Sequence, residues 1–324
     1  VCQLTLQLPF LARIGRLPKP VWTPKDEGVG RVMRLMIPAL FGVSVSQINL
    51  LLDTVLASLL PDGSVAWLYY SDRLTELPLG VFGIAIATVI LPNLSDLRIG
   101  GGAQQAHRVL DWAVRMVVII AMPATLALWI LSAPILTTLF EYGAMKAEDI
   151  AMAELSMRAY ALGLVAFMLI KVLAPGFYAQ QDTKTPVKIG VIAMVSNMLL
   201  NVAFVFPLMW WFNVGHVGLA LATSCSALLN ATLLYRGLAA RSLFVWQPGW
   251  GRLLRALGLG SGLMIVVLLT GVGLFSDFSE MSWWQRAQNL TLLVASGALS
   301  FLLGAYLMGL RVADLRAPRA QESA

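Results

Sequence analysis

The chain has 324 residues, of which 58% are hydrophobic and only 12% are charged, and its mean hydropathy is +0.77. Because about a quarter of the residues in soluble domains are charged, this composition excludes an ordinary soluble protein. The sequence instead predicts an integral membrane protein.

Long apolar runs between Met33 and Leu310 decide the fold class. A helix needs about 20 apolar residues to cross a bilayer, whereas barrel strands are alternating segments of about ten. The runs are long and continuous, so we predict an all-α polytopic transmembrane bundle whose helices satisfy their own backbone polar groups. In chain order, the eight predicted spans cover residues 33–60, 65–91, 109–130, 153–173, 187–209, 217–235, 253–275 and 287–310.

The segment before the first span is apolar at its start and basic afterwards. Val1–Ile14 has the composition of the last turns of another membrane helix, and a basic linker follows as far as residue 32. A short re-entrant or interfacial segment is the alternative. Since the sequence begins with Val1 rather than Met, we expect a fragment that lacks an N-terminal part.

Lys and Arg residues fall almost entirely on one side of the predicted bundle. When the spans alternate in direction, the opposite side receives only Lys146, Arg158 and Arg286, and Arg73 lies inside a span. The positive-inside rule therefore predicts that both ends of the chain are cytoplasmic. This asymmetry also accounts for the net charge of +6, so nucleic acid is not an expected partner.

The second predicted span contains the sequence YYSDRLTELP at 69–78, with three charged side chains inside an apolar stretch. A charge at the centre of a membrane helix costs about 2.5–3.5 kcal/mol on insertion scales. Arg73 and Glu76 are three residues apart, and Asp72 and Glu76 are four apart, so an ion pair that only locks the bundle is one interpretation. In the other, Arg73 binds an anionic substrate bidentately, and Glu76 holds Arg73 when substrate is absent.

A second group of polar residues is spread over three predicted spans. Asp53 lies in the first, Asn197 and Asn201 are one helical turn apart in the fifth, and Thr223 lies in the sixth. Hard cations prefer carboxylate, amide and hydroxyl oxygens, so a sodium site is one interpretation. Hydrogen bonding between helices, which Asn and Thr commonly provide in membranes, is the alternative.

Enzyme chemistry finds little support in the sequence. His107 and His216 lie in connections, without a nucleophile and base at a catalytic spacing, and no glycine-rich phosphate loop occurs. Cys2 and Cys225 lie in different apolar segments, so neither a disulfide nor a cysteine metal site is expected. We therefore expect a transporter without an organic cofactor, and a non-transporting membrane scaffold is the alternative from another class.

Three motifs give the chain a specific resemblance to a known family. The strings PALFGVSVSQI at 38–48, YYSDRLTELP at 69–78 and LAPGFYAQQDTKTP at 173–186 resemble, in this order, the MurJ (MviN) lipid II flippases. This family belongs to the multidrug, oligosaccharidyl-lipid and polysaccharide exporter superfamily and has two six-helix lobes plus two extra helices. The resemblance implies that residues 1–32 are the end of helix six and a linker, 33–236 the second lobe, and 237–324 the last two helices, which hold the lipid tail, with a cytoplasmic tail.

For function, the resemblance implies movement of lipid II, an undecaprenyl-diphosphate-linked peptidoglycan precursor, to the outer leaflet of the bacterial cytoplasmic membrane by alternating access. Arg73 falls where the family has an important cavity arginine, so Arg73, Asp72 and Glu76 are expected to line the substrate cavity. Export of another polyprenyl-linked glycan or a drug is the alternative within transport.

The resemblance also bears on ions and partners. A sodium site of some family members implies a coupling ion held by Asp53, Asn197, Asn201, Thr223 and the carbonyl of Leu219, although the family pattern has Asp where this chain has Asn201. The expected partners are lipid II, membrane lipids and the missing N-terminal lobe of the same protein, and a monomer is expected.

Overall fold

A computed structural model describes residues 2–15, 27–99, 103–275, 278–311 and 314. The regular structure in these ranges is helical, without a strand. By contacts, the chain divides into two compact units, Val1–Leu40 and Phe41–Ala324. Most of the predicted basic linker and of the C-terminal tail lies outside the described residues.

The described residues form eleven α-helices, numbered here in chain order. They are α1 (Cys2–Arg13), α2 (Glu27–Ser58), α3 (Ser64–Pro78), α4 (Ile84–Ile99), α5 (Ala103–Ile130), α6 (Ser132–Phe140), α7 (Ala147–Tyr178), α8 (Lys184–Phe212), α9 (Gly215–Ala240), α10 (Trp250–Leu274) and α11 (Trp283–Leu307). A π-helical turn, Leu79–Gly83, joins α3 to α4, and a 3-10 turn, Phe278–Glu280, precedes α11.

Seven helical segments among the described residues are long and apolar enough to cross a membrane. They are Ser64–Ile90, Gln104–Ile130, Ala147–Tyr178, Lys184–Phe212, Gly215–Ala240, Trp250–Leu274 and Trp283–Leu307. Each corresponds to one predicted span, from the second to the eighth. The first predicted span corresponds to α2, which has 32 residues. The prediction of an all-α transmembrane bundle is thus confirmed.

The spans run between two ends of the second unit, which we name after glycines in their loops. Gly63, Gly143 and the 3-10 turn lie at the Gly63 end, while the connections at 179–183 and 241–249 lie at the Gly249 end. Both naming glycines have positive φ, 96° at Gly63 and 107° at Gly249, a conformation that residues with a side chain rarely adopt.

α7 is the central helix of the bundle, and 61% of its most apolar 18-residue stretch is buried. It packs against α3, α5 and α9. Two neighbours are also held to it by hydrogen bonds to backbone carbonyls. Ser71 of α3 donates to Ala153 at 2.7 Å, and Ser224 of α9 donates to Ala159 at 2.8 Å. Paired hydroxyl groups of this kind cost little in lipid because the donors are satisfied.

α10 and α11 form a close hairpin that is attached to the rest of the bundle at both ends. At the Gly63 end, the buried Arg286 donates to the carbonyls of Thr137, Met281 and Ser279 at 3.1, 3.0 and 2.6 Å and pairs with Glu141 at 3.3 Å. At the Gly249 end, Trp250 Nε1 donates to Asp111 Oδ1 at 2.8 Å. These contacts tie the hairpin to α5 and to the α6 region.

Glycine allows the two helices of this hairpin to touch. A Cβ atom on Gly304 would lie 2.7 Å from the Cα atom of Gly260, and a Cβ atom on Gly260 would lie 2.7 Å from the carbonyl oxygen of Phe301. Both obstacles are backbone atoms, which cannot turn away. Small residues are the usual means of such close approach between membrane helices.

At the Gly249 end, Asp182 joins the α7–α8 loop to the end of α9. It accepts hydrogen bonds from Thr185 N at 3.0 Å, Thr185 Oγ1 at 2.5 Å and Arg241 Nη1 at 2.6 Å. Burial acts to raise the pKa of Asp182, but the hydrogen bonds from Thr185 and Arg241 outweigh it and lower the pKa to about 2. The loop therefore holds an ionised carboxylate.

The glycine contact predicts that Gly304→Ala destabilises the protein, because the new methyl group must separate α10 from α11. Overpacking of this kind costs about 1–3 kcal/mol. The measurement is the melting temperature of the purified protein. Gly258→Ala is the matched control, since its Cβ would have no neighbour within 4 Å, and equal melting temperatures for the two variants would contradict the prediction.

The Asp182 contacts predict a pH-dependent effect of Arg241→Gln. Because the pKa of Asp182 lies below its ordinary value of 3.8, the stabilisation is complete above about pH 4 and disappears as the pH falls towards 2. Arg241→Gln should lower the melting temperature at pH 7, by the equivalent of at most about 1 kcal/mol for a half-exposed pair, and the difference should vanish at low pH. Arg255→Gln, which loses only a bond within α10, is the control; a difference that persists at low pH would contradict the assignment.

Candidate functional site

The charged side chains of α3 divide between two sides of the helix. Arg73 Nη1 lies 2.6 Å from Glu76 Oε2, and the two side chains are 49% and 50% exposed. The guanidinium also lies over the ring of Tyr69, 5.2 Å from its centroid. Arg73 is thus held by an ion pair and an aromatic face, yet half of its side chain remains accessible.

The opposite side of α3 is buried and polar. Ser71 is fully buried, and Thr75 is buried and donates to the carbonyl of Ser71 at 2.9 Å. The bond from Ser71 to Ala153 fixes this side against α7. Since residues two apart on a helix differ by about 200° in direction, Arg73 necessarily faces away from α7.

A second cluster joins α2, α8 and α9 in the middle of the bundle. Asn201 Nδ2 donates to Asp53 Oδ1 at 2.7 Å and to Asn197 Oδ1 at 3.1 Å. Thr223 Oγ1 accepts a longer bond of 3.4 Å from Asn197 Nδ2 and donates to the carbonyl of Leu219 at 3.0 Å. The structure therefore brings together all five groups that the sequence places in the candidate cation site.

In this buried cluster, one amide oxygen lacks a hydrogen-bond donor within the described part of the chain. Asn197 and Asn201 are each 1% exposed, and Asn201 Oδ1 has no hydrogen-bond partner among the described residues. A buried acceptor without a partner costs about 1–3 kcal/mol. The cluster thus holds oxygen atoms that a bound cation could use.

Two residues of the cluster region were not identified from the sequence. Asn49 donates from Nδ2 to Asp53 Oδ2 at 3.2 Å, and its own Oδ1 lacks a partner among the described residues. Asn49 could have been predicted from the sequence, because it lies one helical turn before Asp53. Tyr160 of α7 is 9% exposed and interacts electrostatically with both Asp53 and Asp72. It could not have been predicted, because it is far from both aspartates in sequence.

Asp72 connects the two groups of polar residues. It interacts electrostatically with Arg73 and Glu76 on its own helix and with Asp53 on α2. Its side chain is more buried than those of Arg73 and Glu76. The substrate-cavity assignment of Asp72 stays a prediction.

The histidines are structural in this arrangement. His216 is buried, its Nε2 lies 3.1 Å from the carbonyl of Met152, and its ring packs edge-on against Trp67. His107 Nε2 lies 2.8 Å from the carbonyl of Ser242. Among the described residues, no group of three His, Cys, Asp or Glu side chains is placed to hold a metal ion.

Comparison with known proteins shows which family the sequence matches. A sequence model described as "Lipid II flippase MurJ" matches residues 1–287. The protein named "Probable lipid II flippase MurJ" from Vibrio cholerae is 48% identical over 315 residues, which are 97% of this chain and 59% of the relative. The protein of the same name from Haemophilus influenzae is 45% identical, over 95% of this chain and 60% of the relative.

A solved structure agrees with the sequence matches. "Lipid II flippase MurJ, inward closed conformation" superimposes with a TM-score of 0.69 at 25% identity and covers 92% of this chain and 58% of that structure's chain. The chain therefore spans about three fifths of the length of the relatives it matches. With the family model covering residues 1–287, the chain belongs to the MurJ family.

Proposed function

We propose that this chain contributes to a lipid II flippase. In this proposal, the protein moves the undecaprenyl-diphosphate-linked precursor from the inner to the outer leaflet of the bacterial cytoplasmic membrane by alternating access, as a transporter and not an enzyme. The observation that carries the proposal is the half-exposed Arg73 guanidinium inside a membrane span of a MurJ-family chain. The names of the curated relatives support lipid II as the substrate.

Arg73 has the chemistry that a diphosphate requires. Its planar guanidinium can bind two phosphate oxygens at once. Only one ion pair, to Glu76, holds it in the described residues, and Glu76 is itself half exposed, so substrate phosphate can replace the carboxylate at little cost. Asp72, one residue away, would repel a diphosphate that went past Arg73 towards Asp53 and would thus limit the depth of binding.

The orientation of the protein in the membrane is inferred from charge asymmetry. Near the Gly249 end of the described bundle lie Lys184, Lys188, Arg241, Arg252 and Arg255. The positive-inside rule makes this end cytoplasmic. The Gly63 end, with Arg286 buried against carbonyl groups, would then face the periplasm.

The Asp53 cluster is proposed to bind sodium as a coupling ion. One carboxylate, two amide oxygens, the hydroxyl of Thr223 and the carbonyl of Leu219 form a hard oxygen set. Asn201 Oδ1, which is buried and lacks a partner among the described residues, supports this assignment because a cation would satisfy it. Asn49 extends the set by one amide oxygen.

The relatives are longer than the matched region, so the transport activity is proposed for a complete flippase of their length. We expect a monomer in which this chain acts together with the additional sequence that the relatives carry. The corresponding experiment is a chimera in which this chain replaces the matching three fifths of the Vibrio cholerae relative, expressed in bacteria depleted of their own flippase.

The first prediction for the chimera is that Arg73→Ala abolishes growth while leaving membrane abundance normal, because the diphosphate loses its bidentate contact. Arg255→Ala, which removes an exposed arginine at the Gly249 end, should grow normally. Growth without Arg73 would contradict its binding role. Failure of the unsubstituted chimera to grow would contradict the proposed function itself.

The second prediction concerns sodium binding. Sodium should raise the melting temperature of the purified protein more than potassium does, by the equivalent of about 2.7 kcal/mol at one hundred times the dissociation constant. Asp53→Asn should remove this difference because the neutral amide cannot balance the charge of the ion. Asp62→Asn, in the exposed loop at the Gly63 end, is the control; a sodium effect that survives Asp53→Asn would exclude the site.

A further inference from the structure

α7 has two stripes of opposite character along its length. The apolar stripe consists of the exposed residues Ala151, Leu155 and Leu162. The polar stripe contains the polar residues Tyr160, Lys171 and Tyr178, at intervals of 11 and 7 residues, with the apolar Phe167 between the first two. At about 100° per residue, those intervals bring the three side chains to within about 20° of one line along the helix, on the side opposite the apolar stripe.

The polar stripe runs from the middle of the bundle to the Gly249 end. Tyr160 is buried and interacts electrostatically with Asp53 and Asp72, Lys171 is exposed, and Tyr178 is 43% exposed. Accessibility therefore increases towards the Gly249 end. Lys171 lies about 16 Å along the helix axis from Tyr160, from the rise of 1.5 Å per residue.

Lys171 differs from five arginines of the described residues that are held by carboxylates, which are Arg73, Arg115, Arg158, Arg241 and Arg286. Lys171 has no hydrogen bond or ion pair with any described residue. It is two helical turns inside α7, whereas Lys188 is one turn inside α8. Its ammonium group is thus a charge within a span that still needs a counter-charge.

A lysine near the end of a span can also extend to lipid phosphates with no specific role. The composition of α7 argues against this explanation. The apolar stripe has the composition of a lipid-facing surface, and Arg158 beside it is neutralised by Glu154. Lys171 lies on the opposite side with two tyrosines. An ionisable residue inside a span usually faces the bundle interior or a water-filled cavity, and Lys171 with its two tyrosines fits the wall of such a cavity.

We propose that Lys171 is a further anion-binding residue, which receives the substrate diphosphate at the Gly249 end before it reaches Arg73. This inference rests on the proposed function. An ammonium group is a compact charge on a flexible stem that can follow a moving phosphate, whereas the planar guanidinium of Arg73 suits a fixed bidentate contact. The two cations thus have different tasks, capture and retention.

The test measures lipid II translocation by the purified chimera in proteoliposomes as a function of lipid II concentration. Lys171→Gln should raise the concentration for half-maximal rate about tenfold, as expected for the loss of a charge-assisted hydrogen bond, with little change in maximal rate. Lys171→Arg should restore the value to within about twofold. Lys188→Gln removes an exposed lysine at the same end and should have no effect.

The outcomes separate the two proposals. An unchanged half-maximal concentration in Lys171→Gln, an equal change in Lys188→Gln, or an equal loss in Lys171→Gln and Lys171→Arg would each overturn the role of Lys171 while leaving the flippase intact. Absence of translocation by the unsubstituted chimera would instead overturn the proposed function. A melting temperature for each variant identifies a loss that comes from unfolding.

Discussion

The packing of α3 on α7 determines where the charges of the second unit point. Ser71 and Thr75 lie on the buried side, and the bond from Ser71 to the Ala153 carbonyl leaves no freedom to rotate that side outwards. Arg73 and Glu76 consequently occupy the accessible side. If α3 turned by half a rotation, Arg73 would enter the contact with α7 and Ser71 would lose the carbonyl of Ala153 as its partner. Both changes are costly where water is absent.

The bundle treats its charged groups in three different ways. Arg286 is buried and saturated with carbonyl acceptors, so it fastens the C-terminal hairpin. Arg73 is half exposed with one exchangeable partner, and Asp53 is surrounded by amides, one of which keeps an oxygen without a partner among the described residues. Saturation is what a structural charge needs, whereas an incomplete set of partners leaves room for a ligand. The number of partners therefore distinguishes the charges of the candidate site from structural charges such as Arg286 more clearly than residue type does.

Several features were predictable from the sequence because they depend on local spacing. Continuous apolar length identified the spans, and the three-residue interval predicted the pair of Arg73 and Glu76. Residue types alone offered the meeting of Asp53 with Asn201 only as one interpretation, because it depends on how α2 and α8 pack, and the resemblance favoured it. The burial of Arg286 was missed because its acceptors lie partly on α6, 149 residues away for Thr137. Charge counting could only assign Arg286 to an end of the bundle.

The π-helical turn after Pro78 has a consequence for the register of the second span. Eight turns of a regular α-helix take about 29 residues, yet the buried positions from Ser64 to Leu94 are one residue further apart. The turn at Leu79–Gly83 absorbs this residue, so that α3 before it and α4 after it both turn their buried sides towards α7. The segment is thus an α-helix that tolerates a single-residue insertion at one place. Loss of one residue there would restore a regular helix with its buried face in phase, whereas the same loss one turn after Ile84 would rotate the rest of α4 by about 100°.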